Sequence, residues 1–276
     1  MPPSWPASLA ALVRLGNLLI GAAGVAIGGF LALGAVRWPE RLVWSVAAAV
    51  GLGAAGYVAN DLADLDADRI NRPERPLPSG RVSPGAARLV GGTAGGLALA
   101  AAWIGGRDVF AIALAALAVM LVYSPLLKHH GLAGNIAVAV VAGVPFTFGA
   151  VAAGWARAGL VPSVIAAILH FAREVVKDLE DVAGDRAIGR HTVPIAHGEP
   201  AGYVVAAVAL VLFVPASLAP WFAGWYGRRY GLTVLGLDVL VAALIARLLA
   251  RRAAGASTAL KAAMVVGLFA LLWDRL

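Results

Sequence analysis

Nine apolar stretches, at about 11–36, 41–66, 84–104, 108–124, 132–154, 160–183, 199–217, 231–251 and 257–274, leave this chain of 276 residues few ways to fold. About 20 consecutive apolar residues, wound as a helix, cross the hydrocarbon core of a bilayer. The pattern therefore predicts an all-α polytopic membrane protein, a bundle of about nine transmembrane helices forming one domain over residues 1–276. Composition agrees, with 61% hydrophobic and only 13% charged residues, well outside the range of an ordinary soluble domain. The fourth stretch is short, and Trp221, Trp225 and Tyr226, between the seventh and eighth, suit the headgroup belt.

Fifteen basic residues fall on one side of such a bundle, among them Arg14, Arg72, Arg75, Lys128, Lys177 and Arg190, against seven on the other, such as Arg41 and Arg157. The positive-inside rule then predicts a multi-pass cell-membrane protein with the N-terminus and the more basic loops in the cytoplasm. The start, MPPSWPASLA, lacks the basic region of a cleaved signal, so none is expected. A net charge of +7 could suggest nucleic acid, but the basic residues lie at helix ends, where topology alone accounts for them. No nucleic-acid partner is expected. The chain has no cysteine, which excludes disulfides, thiolate metal sites and cysteine nucleophiles.

Nine of the fifteen acidic residues sit in two short windows: Asp61, Asp64, Asp66 and Asp68, then Glu174, Asp178, Glu180, Asp181 and Asp185. In each window three aspartates fall at i, i+3 and i+7, a spacing that puts Asp61, Asp64 and Asp68, and likewise Asp178, Asp181 and Asp185, on one face of a helix. The triplets and the arginines Arg69 and Arg186 repeat with an offset of 117 residues, and Asn17 and Asn135 come within one residue of it. This predicts two pseudo-repeated halves, about 11–124 and 132–251, followed by a final helix at 257–274, with the acidic helix ends facing one cavity. After each window comes a basic loop. The first, from Asn71 through Gly80, holds three prolines that exclude a regular helix, and the second, Gly189 to Pro194, carries Arg190.

A carboxylate near a bilayer core costs ~2.5–3.5 kcal/mol on insertion scales, so something must offset these clusters. Magnesium prefers oxygen ligands, keeps several waters and bridges carboxylates to phosphate oxygens. Two facing clusters could hold two or three Mg²⁺ around one diphosphate, with Asn60 orienting the group. The alternative is that the aspartates form ion pairs with nearby arginines; two copies at the same spacing favour metal and diphosphate.

The residues from Asn60 to Asp68 fit the NDxxDxxxD motif of the UbiA superfamily of intramembrane prenyltransferases, which the chain resembles. Asp178 to Asp185 is similar to that family's second aspartate motif, Tyr123-Ser124 through Lys128 to its YSxxLK element, Asn71 to Gly80 to its loop after the first motif, and Arg14 with Asn17 to its first-helix polar pair. The resemblance implies helices around a central cavity open laterally to lipid, and transfer of an isoprenoid from its diphosphate to a lipophilic acceptor. It assigns Asp61, Asp64, Asp68, Asp178, Asp181 and Asp185 to the Mg²⁺–diphosphate, with Asn60 assisting and Arg72 and Lys128 gripping diphosphate oxygens. Tyr123 would lie over the allylic cation, or else serve as an interfacial anchor. Arg14 and Asn17 would meet a substrate head group, or else form a contact between helices. Lys177 flanks the second cluster, as a substrate contact or as its counter-charge.

The stretch from Arg173 to Asp185 is most similar to the archaeal branch that makes ether lipids, whose acceptor is geranylgeranylglyceryl phosphate. Arg14, Arg72 and Arg75 are then candidates for its phosphate. An aromatic acceptor is the competing reading. A transporter or lipid-binding protein would also have broken helices, but would not need two metal-spaced triplets. The intramembrane phosphotransferases of the CDP-alcohol type do not fit, because Asp64 is followed by Leu65 and Asp66 where their DGxxAR motif would continue.

Overall fold

The computed structural model describes residues 4–122, 131–187 and 189–276. Among these, the helices in chain order are α1 (Trp5–Leu12), α2 (Leu15–Leu33), α3 (Glu40–Ala63), α4 (Leu65–Asn71), α5 (Pro84–Gly105), α6 (Arg107–Val122), α7 (Leu132–Ala152), α8 (Arg157–Glu180), α9 (Val182–Ala187), α10 (Val193–Ala196), α11 (Glu199–Phe222), α12 (Arg228–Leu249) and α13 (Ala256–Trp273). Eight of them, all but α1, α4, α6, α9 and α10, are long and apolar enough to cross a membrane. The described part of α6 has 16 residues, about 24 Å against the ~30 Å of the hydrocarbon core. Large apolar side chains such as Leu97, Val208 and Val239 are more than half exposed, which a lipid-facing surface permits because lipid tails are as apolar as the side chains themselves.

The first apolar stretch does not form one helix. Arg14 takes left-handed backbone angles, φ 54° and ψ 55°, and separates α1 from α2. Elsewhere local chemistry sets the boundaries. Ser83 caps α5 by accepting the Ala86 N–H, with a proline in the first turn, and Gly34 ends α2 at φ 65°.

Two packed groups of helices meet across the bundle. One buries Val25, Leu42, Leu52, Ala98, Val109 and Phe148 from α2, α3, α5, α6 and α7. The other buries Leu169, Leu210, Phe213, Leu244 and Leu260 from α8, α11, α12 and α13. Glycine allows the closest approach: a Cβ on Gly28 would strike the Phe146 carbonyl and one on Gly149 the Val25 carbonyl, so α2 and α7 touch backbone to backbone. Gly24 and Gly29 likewise face close neighbours, whereas Gly21, on the same helix, has nothing within 4 Å of its Cβ direction. Near the end of α11 Trp225 is exposed, but Tyr226 is buried against Tyr230, not placed in a belt.

Each acidic window bends where one continuous helical face was expected. Asp64, at φ −92° and ψ 5°, follows α3, and Asp181, at φ −107° and ψ 10°, follows α8. These angles lie in the sparsely populated bridge region, where many active-site residues sit. Hydrogen bonds still cross both bends, Asp64 N–H to Asn60 O and Asp181 N–H to Lys177 O, each 2.9 Å, so the triplets stay on one side. The offset of the triplets recurs in the elements: helix starts at 15 and 132, 40 and 157, and 65 and 182 each lie 117 residues apart.

Candidate active site

A cavity of about 700 Å³ runs into the bundle. Its inner wall is apolar, with Leu52, Val141, Phe146, Leu169 and Leu268, while its mouth collects the polar residues of both acidic windows and of the loops after them. Asp64, Asp68, Asp178, Asp181 and Asp185 line the mouth. Asp61 is buried, its carboxylate taken by Arg14, which does line the cavity. The left-handed backbone of Arg14 is costly for a residue with a Cβ. That ion pair and the Tyr57 ring, 5.1 Å from the guanidinium, hold Arg14 in place. Asn17 and Tyr57 line the cavity beside it.

The other aspartates are also held, mostly by residues from distant parts of the chain. Arg75 reaches Asp68 at 2.6 Å and approaches Asp61 at 3.7 Å. Asn135 donates to Asp178 at 2.8 Å, and Asn60 donates to Asp64 at 2.9 Å. Arg72, from the loop after the first window, crosses to the second bend and binds Asp181 at 2.9 Å. Arg190, from the loop after the second window, crosses the other way, binding Asp64 at the first bend and Asp185 at 2.7 Å. Each basic loop thus clasps the opposite half. Burial opposes the charge on both guanidiniums, but the facing carboxylates outweigh it: Asp181 lifts Arg72, and Asp64 with Asp185 lifts Arg190, above the ordinary arginine value. Lys177 pairs with Glu174 at 2.8 Å.

The short helices α4 and α9 pack together where a Cβ on Gly184 would collide with the side-chain amide of Asn71. Gly184→Ala is expected to cost about 1 kcal/mol, the low end for overpacking because a side chain can shift. Adding Asn71→Ala should recover most of that loss. Thermal melts of the single and double variants measure the coupling, and equal melting of Gly184→Ala and the unaltered chain would show that the contact carries no strain.

Three expected site residues, Tyr123, Ser124 and Lys128, lie outside the described residues. Arg14, Asn17, Asn60, Arg72, Arg75 and Lys177 all reach the same cavity mouth. Sequence reasoning passed over the crossing of Arg190; the available signal was the match between the two basic loops. Asn135, noted only for its place in the repeat, proves to be the partner of Asp178.

Among the described residues no three carboxylate or imidazole groups converge as a ready-made metal cage. The ion-pair reading of the windows therefore holds in this arrangement, with guanidinium and carboxamide groups as the partners. The donors are nonetheless hard oxygens of the kind magnesium selects. Arg190 and Thr192 are among the residues lining the cavity, and Arg190 Nε and Thr192 Oγ1 are buried with no hydrogen-bond partner among the described residues. Groups of that kind call for a polar ligand.

A model of the UbiA prenyltransferase family matches residues 21–272. A relative from Halobacterium salinarum named digeranylgeranylglyceryl phosphate synthase is 41% identical over 240 residues, covering 85% of this chain and 86% of the relative. A solved structure concerned with digeranylgeranylglyceryl phosphate synthase in membranes superposes with a TM-score of 0.78 at 26% identity, covering 97% of each chain. A UbiA homologue from Archaeoglobus fulgidus bound to GPP and Mg²⁺ has the same fold, with a TM-score of 0.66 at 17% identity over 97% of this chain and 98% of that one.

Proposed function

As a member of the UbiA prenyltransferase family this chain is an intramembrane prenyltransferase, and we propose that it transfers a geranylgeranyl group from its diphosphate to geranylgeranylglyceryl phosphate. One observation carries the reading: a single cavity joins an apolar interior to a mouth where aspartates and arginines of both windows meet. A prenyl chain fits the interior and a diphosphate fits the mouth.

Asp61, Asp64, Asp68, Asp178, Asp181 and Asp185 are the residues that would hold two or three Mg²⁺. Bound there, Mg²⁺ neutralises the charge that builds on the departing diphosphate. Arg72, Arg75 and Arg190 would present guanidinium forks to diphosphate oxygens, and Thr192, whose Oγ1 has no partner among the described residues, would add a donor. As the allylic C–O bond breaks, its electron pair leaves with the diphosphate; the acceptor hydroxyl oxygen then bonds to the allylic carbon and passes its proton to the released diphosphate. The apolar walls keep out water that would quench the cation. Tyr123 and Lys128 keep the roles that the family motif gives them.

The two halves are read as an internal repeat over about 11–124 and 132–251, its acidic ends facing the cytoplasm. The ends of the bundle are chemically distinct in keeping with this: one carries both acidic windows, whereas the opposite one is fixed by Arg41 to Asp108 and by Asp274 to the Gly227 N–H.

The test is product formation by detergent-purified protein with Mg²⁺ and labelled geranylgeranyl diphosphate, offered geranylgeranylglyceryl phosphate and a hydroxybenzoate in parallel. Metal-dependent product from the glyceryl phosphate alone is expected. Product from the aromatic alone would overturn the acceptor, and a folded protein that uses neither would overturn the function.

Gly21 gives a second prediction. It lines the cavity four residues beyond Asn17, with open space at its Cβ direction. Gly21→Trp should obstruct the apolar arm and lower kcat/KM for geranylgeranyl diphosphate by roughly tenfold or more, while sparing geranyl diphosphate. An equal loss with both donors would place the prenyl chain elsewhere.

A further inference from the structure

We infer that Lys261 and Arg173 form a subsite for the phosphomonoester of an alkylglycerol phosphate acceptor, beside the diphosphate site and separate from it. The inference rests on the acceptor class proposed above.

Such an acceptor brings a second anion of about −1.5 to −2 charges at neutral pH, by analogy with other phosphomonoesters. The arginines that sequence spacing offers for it serve the aspartate cluster instead: Arg72 and Arg75, bound to Asp181 and Asp68, are those proposed above for the diphosphate, and Arg14 holds the buried Asp61. The start of α13 supplies a different set of donors at the same end of the bundle. Glu180, at the end of α8, accepts hydrogen bonds from Ser257 N at 3.2 Å and Ser257 Oγ at 2.5 Å. Arg173 Nε donates to Ser257 O at 3.2 Å. These contacts pin the first turn of α13 beside the bend at Asp181, the residue after Glu180.

One turn further on, Lys261 lines the cavity, its Nζ 4.0 Å from where a Cβ on Gly16 would stand. Arg14, Arg72, Arg75, Arg173, Lys177 and Arg190 each have a carboxylate within salt-bridge distance. Among the described residues, Lys261 is the cavity lysine or arginine with none. The nearby carboxylates are already occupied, Glu174 by Arg173 and Lys177 and Glu180 by Ser257. Arg173 donates through Nε and Nη1, which leaves others of its five N–H groups for a ligand.

The position suits the chemistry. In a glycerol phosphate whose alkyl chain and phosphate occupy the two terminal carbons, the free hydroxyl sits on the middle carbon, next to the one bearing the phosphate. A phosphate held near the turn at Ser257 therefore keeps the nucleophilic oxygen near the second acidic window, where the allylic carbon would be released.

The experiment compares Lys261→Gln and Lys261→Arg with the unaltered full chain in detergent, with Mg²⁺ and geranylgeranyl diphosphate. KM is measured for geranylgeranylglyceryl phosphate, for the alcohol that lacks the phosphate, and for the donor. Loss of one charge-assisted contact should raise KM for the phosphorylated acceptor on the order of tenfold to a hundredfold, leave KM for the alcohol and the donor little changed, and be largely rescued by arginine. A rise in donor KM instead would assign Lys261 to the diphosphate and overturn the subsite, as would equal shifts for both acceptors or normal kinetics of Lys261→Gln. An effect seen only in anionic nanodiscs and absent from neutral ones would assign Lys261 to a lipid headgroup and equally overturn it. If the unaltered chain prenylates only an aromatic acid, the proposed acceptor class fails and the subsite fails with it; if it uses the phosphorylated acceptor and Lys261→Gln is normal, the subsite alone fails.

Discussion

Asp64→Asn and Asp181→Asn are each expected to abolish prenyl transfer, lowering kcat by about a thousandfold or more in protein that still folds. The two residues occupy the same place in the two halves, the bend after a long helix, with bridge-region angles and an N–H bonded four residues back. Asparagine retains the size of the side chain and the backbone contacts of the bend. It lacks the negative charge that would draw magnesium and hold the crossing arginine. Removing a single neutral donor to a developing charge costs about 10²–10³ in kcat elsewhere, and a lost metal ligand should cost at least that much.

Asp66 is the control. It belongs to the same acidic window, but its side chain is 84% exposed and, among the described residues, pairs with Arg69 alone, at 2.7 Å. Asp66→Asn should leave kcat and the melting temperature near those of the unaltered chain, because exposed ion pairs contribute little. Turnover numbers and melts of the three variants together decide the matter. More than a tenth of normal activity in a folded Asp64→Asn or Asp181→Asn protein would remove that carboxylate from the chemistry.

Periodic, local features of this fold were legible in the sequence. The apolar stretches anticipate the long helices because a bilayer forces every spanning segment to satisfy its own backbone. The doubled aspartate triplets anticipate a shared cavity mouth, where Asp64, Asp68, Asp178, Asp181 and Asp185 meet while Asp61 is buried behind, since an i, i+3, i+7 pattern survives a modest bend. The bends themselves were not legible, because no proline or glycine marks Asp64 or Asp181. Nor were the partners. Arg190 and Asp64 lie 126 residues apart, and which arginine meets which aspartate depends on how the two halves close. Gly21 and Gly28 look alike in the sequence, yet one faces open cavity and the other the backbone of α7. Lys261 reads as an ordinary helix-end cation until α13 is seen to fold back against α8.

The crossing arginines lead to the second large effect. Arg190→Met is expected to destabilise the protein by about 3 kcal/mol or more, the cost of removing one partner from a buried ion pair. Arg190 bridges Asp64 and Asp185, and all three side chains are less than a tenth exposed. Methionine fills much the same volume, so the loss reports charge and hydrogen bonds, not a cavity. What remains is two carboxylates from opposite halves that have lost the guanidinium bridging them. The added negative charge also makes the variant a better host for a divalent ion, because magnesium no longer has to displace that guanidinium. Added Mg²⁺ should therefore raise the melting temperature of Arg190→Met more than that of the unaltered chain, through preferential binding to the folded state. Arg190→Lys, with one point charge in place of a fork, should fall between them. If Arg190→Met melts normally, or if Mg²⁺ shifts both proteins equally, then Arg190 neither ties the halves together nor shares its aspartates with the metal.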